Sequence, residues 1–239
     1  MSDLYIVHVT DHVALPVQPM LVKMIPVAVI DDQTLFREAL AHMINGLGGY
    51  RVVVQAAHGV EYQQAVESGI RVDLAVVDLR MPVMDGFQTI SWIRAHHPRT
   101  RTIGLTFEMT EDEMEHAILA GASGMLMKDV TTAEFRKALD QVSTNGHYLH
   151  DPDTRQNGIG AGMAEISPKD IKASSGLSDR EIEFIRLVCQ ETEPTYEEIA
   201  NHMGVTLATV HGYRSNIFSK LDLKSKAGLV IFAFKRGLI

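Results

Sequence analysis

Between residues 26 and 145 the chain alternates short, uninterrupted apolar runs with amphipathic stretches, and most of the runs end in a polar residue. No other feature restricts the fold as much. A run of Val, Ile, Leu and Ala with polar flanks suits a strand buried on both faces of a parallel sheet. Runs near Val27–Ile30, Val52–Gln55, Leu74–Asp78, Thr102–Thr106 and Gly124–Met127 predict five such strands. Between them apolar residues recur at three and four, as in Phe36, Ala39, Leu40, Met43, Ile44 and Leu47, or Phe135, Ala138, Leu139 and Val142. That is helical spacing. Five strand–helix units predict an α/β doubly wound five-stranded parallel sheet covered on both faces.

Right-handed crossovers carry the C-terminal ends of all five strands to one edge of such a sheet. Ligands of open α/β sheets collect at that edge. The residues delivered there are Asp31 and Asp32 after the first run, Asp78 after the third, Thr106 after the fourth and Lys128 after the fifth. Three carboxylates in one place repel one another unless a hard cation such as Mg2+ neutralises them. With a hydroxyl and an ammonium beside them, they suit phosphoryl transfer, in which Asp78 accepts the group and positive charge offsets the anion. Each residue alone has a bland reading: a strand-end acid that caps a helix, or a surface lysine. Pro82 and Gly86 suit a tight loop beside the acceptor.

Residues 146–175 change character, with glycines, prolines and serines and no periodicity, and read as a linker. From Leu177 the pattern becomes all-helical. Ser178 with Glu181, and Thr195 with Glu198, are capping boxes. Gly204 suits a helix end, Thr206 starts a third helix through about Leu221, and Ser225 starts a fourth. The expectation is a small all-α four-helix domain at 176–239 containing a helix-turn-helix. Charge supports an anionic partner for it. The chain carries a net charge of −8, yet residues 207–239 hold six basic side chains against one acid. A solvated helix face would give the same count.

Residues 1–24 read as an N-terminal extension of uncertain role, with the first domain spanning 25–145. The pair His8 and His12 has helical metal-ligand spacing, but nothing nearby completes a site. No run approaches the roughly 20 apolar residues of a membrane span, and no secretory signal is evident. The single Cys189 falls on an apolar helix face and forms no internal disulfide, which fits a cytoplasmic protein.

The motifs IDD at 30–32, VVDLRMPVMDG at 76–86, Thr106 and Lys128 resemble the receiver domain of two-component response regulators. That resemblance implies a flavodoxin-like sheet and phosphorylation of Asp78 by a histidine kinase. It implies Mg2+ held by Asp32, Asp78 and the backbone carbonyl of Arg80, with Asp31 assisting. Thr106 and Lys128 would contact the phosphoryl oxygens. Met125 stands where many receivers carry an aromatic that turns inward on activation. Phe107 stands where the family usually has a small residue, so it is expected to crowd the phosphoryl pocket. Asp129 replaces a frequent proline.

The segments LSDREIEFIRLV, EIA, NIFSKL and the closing GLI resemble the LuxR-type (NarL/FixJ-like) helix-turn-helix. By that resemblance Thr206–Leu221 is a recognition helix in the major groove of double-stranded DNA. His211, Gly212 and Ser215 would face bases, and Thr206, Thr209, Tyr213, Arg214 and Lys220 would contact phosphates. The last helix would form a homodimer upon phosphorylation. The whole then reads as a cytoplasmic transcription regulator without turnover on an external substrate. One alternative is a phosphorylation-independent DNA-binding regulator whose receiver serves only for dimerisation or docking. A phosphatase using Asp78 as nucleophile would want a second carboxylate two residues on, where Arg80 stands.

Overall fold

A computed structural model describes residues 24–149, 176–190 and 192–239. Residues 1–23 of the expected extension at 1–24, with His8 and His12, and nearly all of the expected linker lie outside the described residues. The first domain runs β1 (Ile25–Ile30), α1 (Thr34–Gly46), β2 (Tyr50–Ala56), α2 (Gly59–Glu67), β3 (Leu74–Asp78), α3 (Gly86–His96), β4 (Arg101–Thr106), α4 (Glu111–Ala120), β5 (Gly124–Met127), α5 (Thr132–Asn145) and β6 (Tyr148–Leu149). The sheet order is β2-β1-β3-β4-β5-β6, and every pairing is parallel. The order reverses between β1 and β3, so a crevice opens where Asp31 and Asp78 leave the sheet.

The five expected strands are present, with ends within two residues of their runs. The sixth was not expected. Its two residues extend the sheet inside a stretch whose Gly and His residues carry no strand signal. Pairing of Gly124 with Tyr148, and burial of the Tyr148 ring, hold it there. Alternation explains the two core faces. Val27, Val29, Leu74, Val76, Ile103 and Leu105 point toward α1 and α5. Ala28, Ile30, Ala75, Val77 and Met125 point toward α2, α3 and α4. Each fully buried Val, Ile or Leu contributes roughly 1.5–3 kcal/mol, offsetting a backbone ordering cost of about 1–2 kcal/mol per residue.

The second domain contains four helices, as expected: α6 (Asp179–Val188), α7 (Tyr196–Met203), α8 (Leu207–Lys220) and α9 (Lys226–Lys235). Both capping boxes close reciprocally. Gly204 sits at φ 64, the left-handed geometry that turns the chain from α7 into α8 without a Cβ clash. Thr206 and Ser225 cap α8 and α9. Cys189 is buried, and burial pushes its thiol up to about 12, which leaves it a packing residue.

Among the described residues, α9 brings the two domains together. Helix α9 is apolar on almost every side, and besides its own bundle it packs against α4. The Ser225 hydroxyl donates to Glu111 at 3.0 Å. Lys226 pairs with Glu115 at 3.4 Å and with Glu193 at 2.7 Å. The Phe234 ring meets His147 edge to face.

Candidate functional site

At the C-terminal edge of the sheet, ligand oxygens of Asp31, Asp32 and Asp78 lie within 4.8 Å of one another. Asp31 and Asp78 are buried, and Asp32 is exposed. The Lys128 ammonium donates to Asp31 Oδ2 and to Asp78 Oδ2, each at 2.8 Å. Four of the five expected residues therefore meet around one point. Burial pushes the Asp78 carboxyl above its usual range, and the bonds from Lys128 and from the Arg80 amide pull it part of the way back. Burial alone would lower Lys128, but the two carboxylates outweigh it and hold the ammonium above its ordinary value.

Three carboxylates against one ammonium leave two negative charges, the charge of one divalent cation. The donors are all oxygens, the set that Mg2+ prefers. The residues fit the ion.

The loop after β3 brings the backbone close. A Cβ on Gly86 would lie 2.3 Å from the Asp78 carbonyl oxygen, so only glycine lets α3 start there. Asp85 caps α3 through a capping box. Val83, earlier in the same loop, adopts φ 69 and closes a γ-turn in which the Met84 amide donates to the Pro82 carbonyl at 2.8 Å. A β-branched residue there is strained by roughly 1–3 kcal/mol, and its side chain is exposed.

Two aromatic rings flank the ammonium. Lys128 Nζ stands 4.7 Å from the Phe36 ring centroid and 4.9 Å from that of Phe107. Phe107 is 66% exposed, so it lies as a flap over the lysine rather than as a plug packed into the core. Met125 is fully buried.

The Thr106 hydroxyl is engaged away from the acidic cluster. It sits 2.8 Å from the Glu108 carbonyl and 3.2 Å from Glu113 Oε2. Glu113 also accepts from the Arg80 guanidinium, through Nε at 3.1 Å and through Nη2. The sequence reading did not single out Glu113 or the Arg80 side chain. The available signal was the sequence Thr110-Glu111-Asp112-Glu113, an N-cap followed by first-turn acids, of which the third is buried.

On the second domain, Thr206, Thr209, His211, Gly212, Arg214 and Ser215 are exposed along α8, and Tyr213 is half-buried against Phe184. His211 meets Tyr196 edge to face, and Arg214 lies over Phe218. Lys220, also expected on phosphate, is bound within the domain. Its ammonium binds both oxygens of Glu181, at 2.9 and 2.8 Å, and the Gly176 carbonyl at 3.0 Å. The reason is physical: Glu181 is a buried carboxylate and needs a cation. Without DNA, then, Lys220 is held to α6 rather than extended over the exposed face of α8.

Residues 27–140 match the response regulator receiver domain family, and residues 175–233 match the bacterial regulatory proteins of the luxR family. The chain belongs to the two-component response regulators that join a receiver to a luxR-family DNA-binding domain. It is similar to the response regulator GacA of Pseudomonas viridiflava, 26% identical over 220 residues that span 90% of this chain and 98% of GacA. The oxygen regulatory protein NreC of Staphylococcus epidermidis is 28% identical over 219 residues, 89% of this chain and 98% of its own. The solved RcsB response regulator of Salmonella typhimurium superposes with a TM-score of 0.51 at 18% identity, over 88% of this chain and 98% of RcsB, a likeness of fold alone. Among the described residues no helix is long and apolar enough to cross a membrane.

Proposed function

We propose that Asp78 accepts a phosphoryl group from a histidine kinase in the cytoplasm, and that this modification separates α4 from α9 so that the chain dimerises and binds DNA. The observation that carries the reading is the joining of Asp31 and Asp78 by one buried ammonium beside a third carboxylate. In the transfer, an Asp78 carboxylate oxygen attacks phosphorus, the bond from phosphorus to the donor's ring nitrogen breaks, and that nitrogen keeps the electron pair and takes a proton. Asp31, Asp32, Asp78 and the Arg80 carbonyl would hold Mg2+. Bound there, Mg2+ would supply positive charge to the transferring group. Lys128 exchanges its Asp78 oxygen for a phosphoryl oxygen, and the Thr106 hydroxyl turns to another.

The packing of α4 on α9 favours the dimer route over release of the recognition helix. The exposed side of α8 is open, whereas α9, the expected dimer helix, is covered by α4. In the dimer two α8 helices would enter major grooves about one DNA turn apart, roughly 34 Å. His211, Gly212 and Ser215 would face bases, with Thr206, Thr209, Tyr213 and Arg214 on phosphates.

Sedimentation of the parent and of Asp78→Asn, with and without beryllofluoride and Mg2+, tests this together with retention of genomic DNA fragments. Loading should convert the parent to dimer and raise DNA retention, and leave Asp78→Asn unchanged. An unresponsive parent that still retains DNA would establish the phosphorylation-independent alternative. Log K for DNA should fall against log salt by about 0.9 per phosphate contact.

A further inference from the structure

We propose that Glu113 is the positioning residue that holds the Thr106 hydroxyl away from Asp78 and latches α4 against α9 until Asp78 is phosphorylated. The inference rests on the phosphorylation reading and names the device that transmits it. Helix α4 is pinned on two sides. Glu111 and Glu115, four residues apart and so on one face, reach Ser225 and Lys226 at the start of α9. Glu113 lies about 200° around the helix from Glu111, and its buried carboxylate accepts from Thr106 and Arg80.

Both of those donors belong to the phosphoacceptor's surroundings. Thr106 ends the strand next to β3, and the Arg80 amide donates to Asp78 Oδ1 at 3.2 Å. The Thr106 hydroxyl has one proton, which cannot serve Glu113 or the Glu108 carbonyl and a phosphoryl oxygen together. A phosphoryl dianion on Asp78 also competes with Glu113 for the Arg80 guanidinium. When either donor transfers, a buried carboxylate loses a partner it needs. Glu113 relieves this by turning toward solvent, and it carries the first turn of α4 with it. That turn bears Glu111 and leads to Glu115, so the contacts with Ser225 and Lys226 part. Met125 is fully buried and has no hydroxyl with which to report the event, so the carboxylate takes the part of an aromatic switch.

Hydrogen exchange on the full chain, unloaded and loaded with beryllofluoride and Mg2+, tests the latch in Glu113→Ala and Glu113→Gln. The glutamine variant keeps the shape and an acceptor for Thr106 but removes the charge that binds Arg80. Without loading, both variants should exchange α9 amides about tenfold faster than the parent while β3 amides stay as slow, a pattern of local opening. Loading should speed α9 in the parent and add less than about twofold in Glu113→Ala, whose α9 is already open. Equal acceleration of β3 and α9 in both variants would make Glu113 an ordinary structural residue and overturn the proposal. Parent-like α9 exchange in both unloaded variants would overturn it too. Indifference of the parent's α9 to loading would instead remove the phosphorylation reading, and the unloaded variants would still decide whether Glu113 latches α4.

Discussion

Each domain ties an ammonium to carboxylate, and the two arrangements differ in charge balance. In the second domain Lys220 meets one carboxylate, Glu181, with both oxygens bound and a backbone carbonyl completing the set. Charge cancels, and the pair fastens α6 to α8. In the receiver Lys128 meets two carboxylates from different strands with a third alongside, and charge does not cancel. Both groups are far apart in sequence and both include buried acids. The surplus of negative charge, rather than burial, sets the receiver's group apart, and it is what the proposed cation would offset. Lys220 and Glu181 carry no such surplus.

The largest test of that contrast removes each lysine. Lys128→Met leaves two buried carboxylates without their ammonium, and should destabilise the receiver by about 3–5 kcal/mol in urea unfolding without divalent ions. Added Mg2+ should recover a large part of the loss, because a cation can take up the stranded charge. Lys220→Met should cost about 2 kcal/mol, with no recovery in Mg2+. Equal rescue of both variants would break the comparison.

Acid separates the two pairs further. Burial alone would raise the Glu181 carboxyl, but the bonds from Lys220 and Ser178 outweigh it and hold it below its ordinary 4.5. A depressed carboxylate contributes stability that is complete above the unfolded value and is lost as pH falls through the folded one. The parent and Lys220→Met should therefore differ most well above pH 4.5 and converge as the pH falls below it. Urea midpoints measured across that range check the sign.

The sequence makes the balanced and unbalanced groups unequally visible. Asp78 and the acidic pair are legible because each ends an apolar run, and strand polarity carries such ends to one edge whatever the loops do. The helix starts of the second domain are legible for a similar reason, since Ser178 with Glu181 and Thr195 with Glu198 are local patterns. The pairing of Lys220 with Glu181 is not legible because the two lie 39 residues apart and no local pattern links them. Glu113 was passed over because first-turn acids usually face water, and only tertiary packing buries this one. Tyr148 escaped because two residues carry no periodicity.

Val83 in the receiver and Gly212 in the second domain each break a local backbone rule, and they extend the comparison to smaller effects. Val83 occupies a left-handed conformation that glycine would adopt without strain. Val83→Gly should stabilise the receiver by roughly 1 kcal/mol, strain relief less the added chain entropy. If the strained loop serves phosphoryl transfer, the same change should slow phosphorylation by a small-molecule donor. Faster or unchanged transfer would reduce Val83 to an accident of the loop.

Gly212 is the converse, a glycine where the helix asks for none. A Cβ added there meets nothing within 4 Å, so the domain itself has room for a side chain. Gly212→Ala should stabilise α8 by about 0.8–1 kcal/mol, read as a higher melting temperature. The exposed position on the helix expected to enter the groove supplies a reason for the glycine, because a methyl group would hold DNA bases off the backbone. DNA retention should then fall while the salt slope stays constant, since no phosphate contact is lost. A more stable domain with undiminished DNA binding would show that nothing approaches α8 at Gly212, and would move the base-reading surface toward His211 and Ser215 alone.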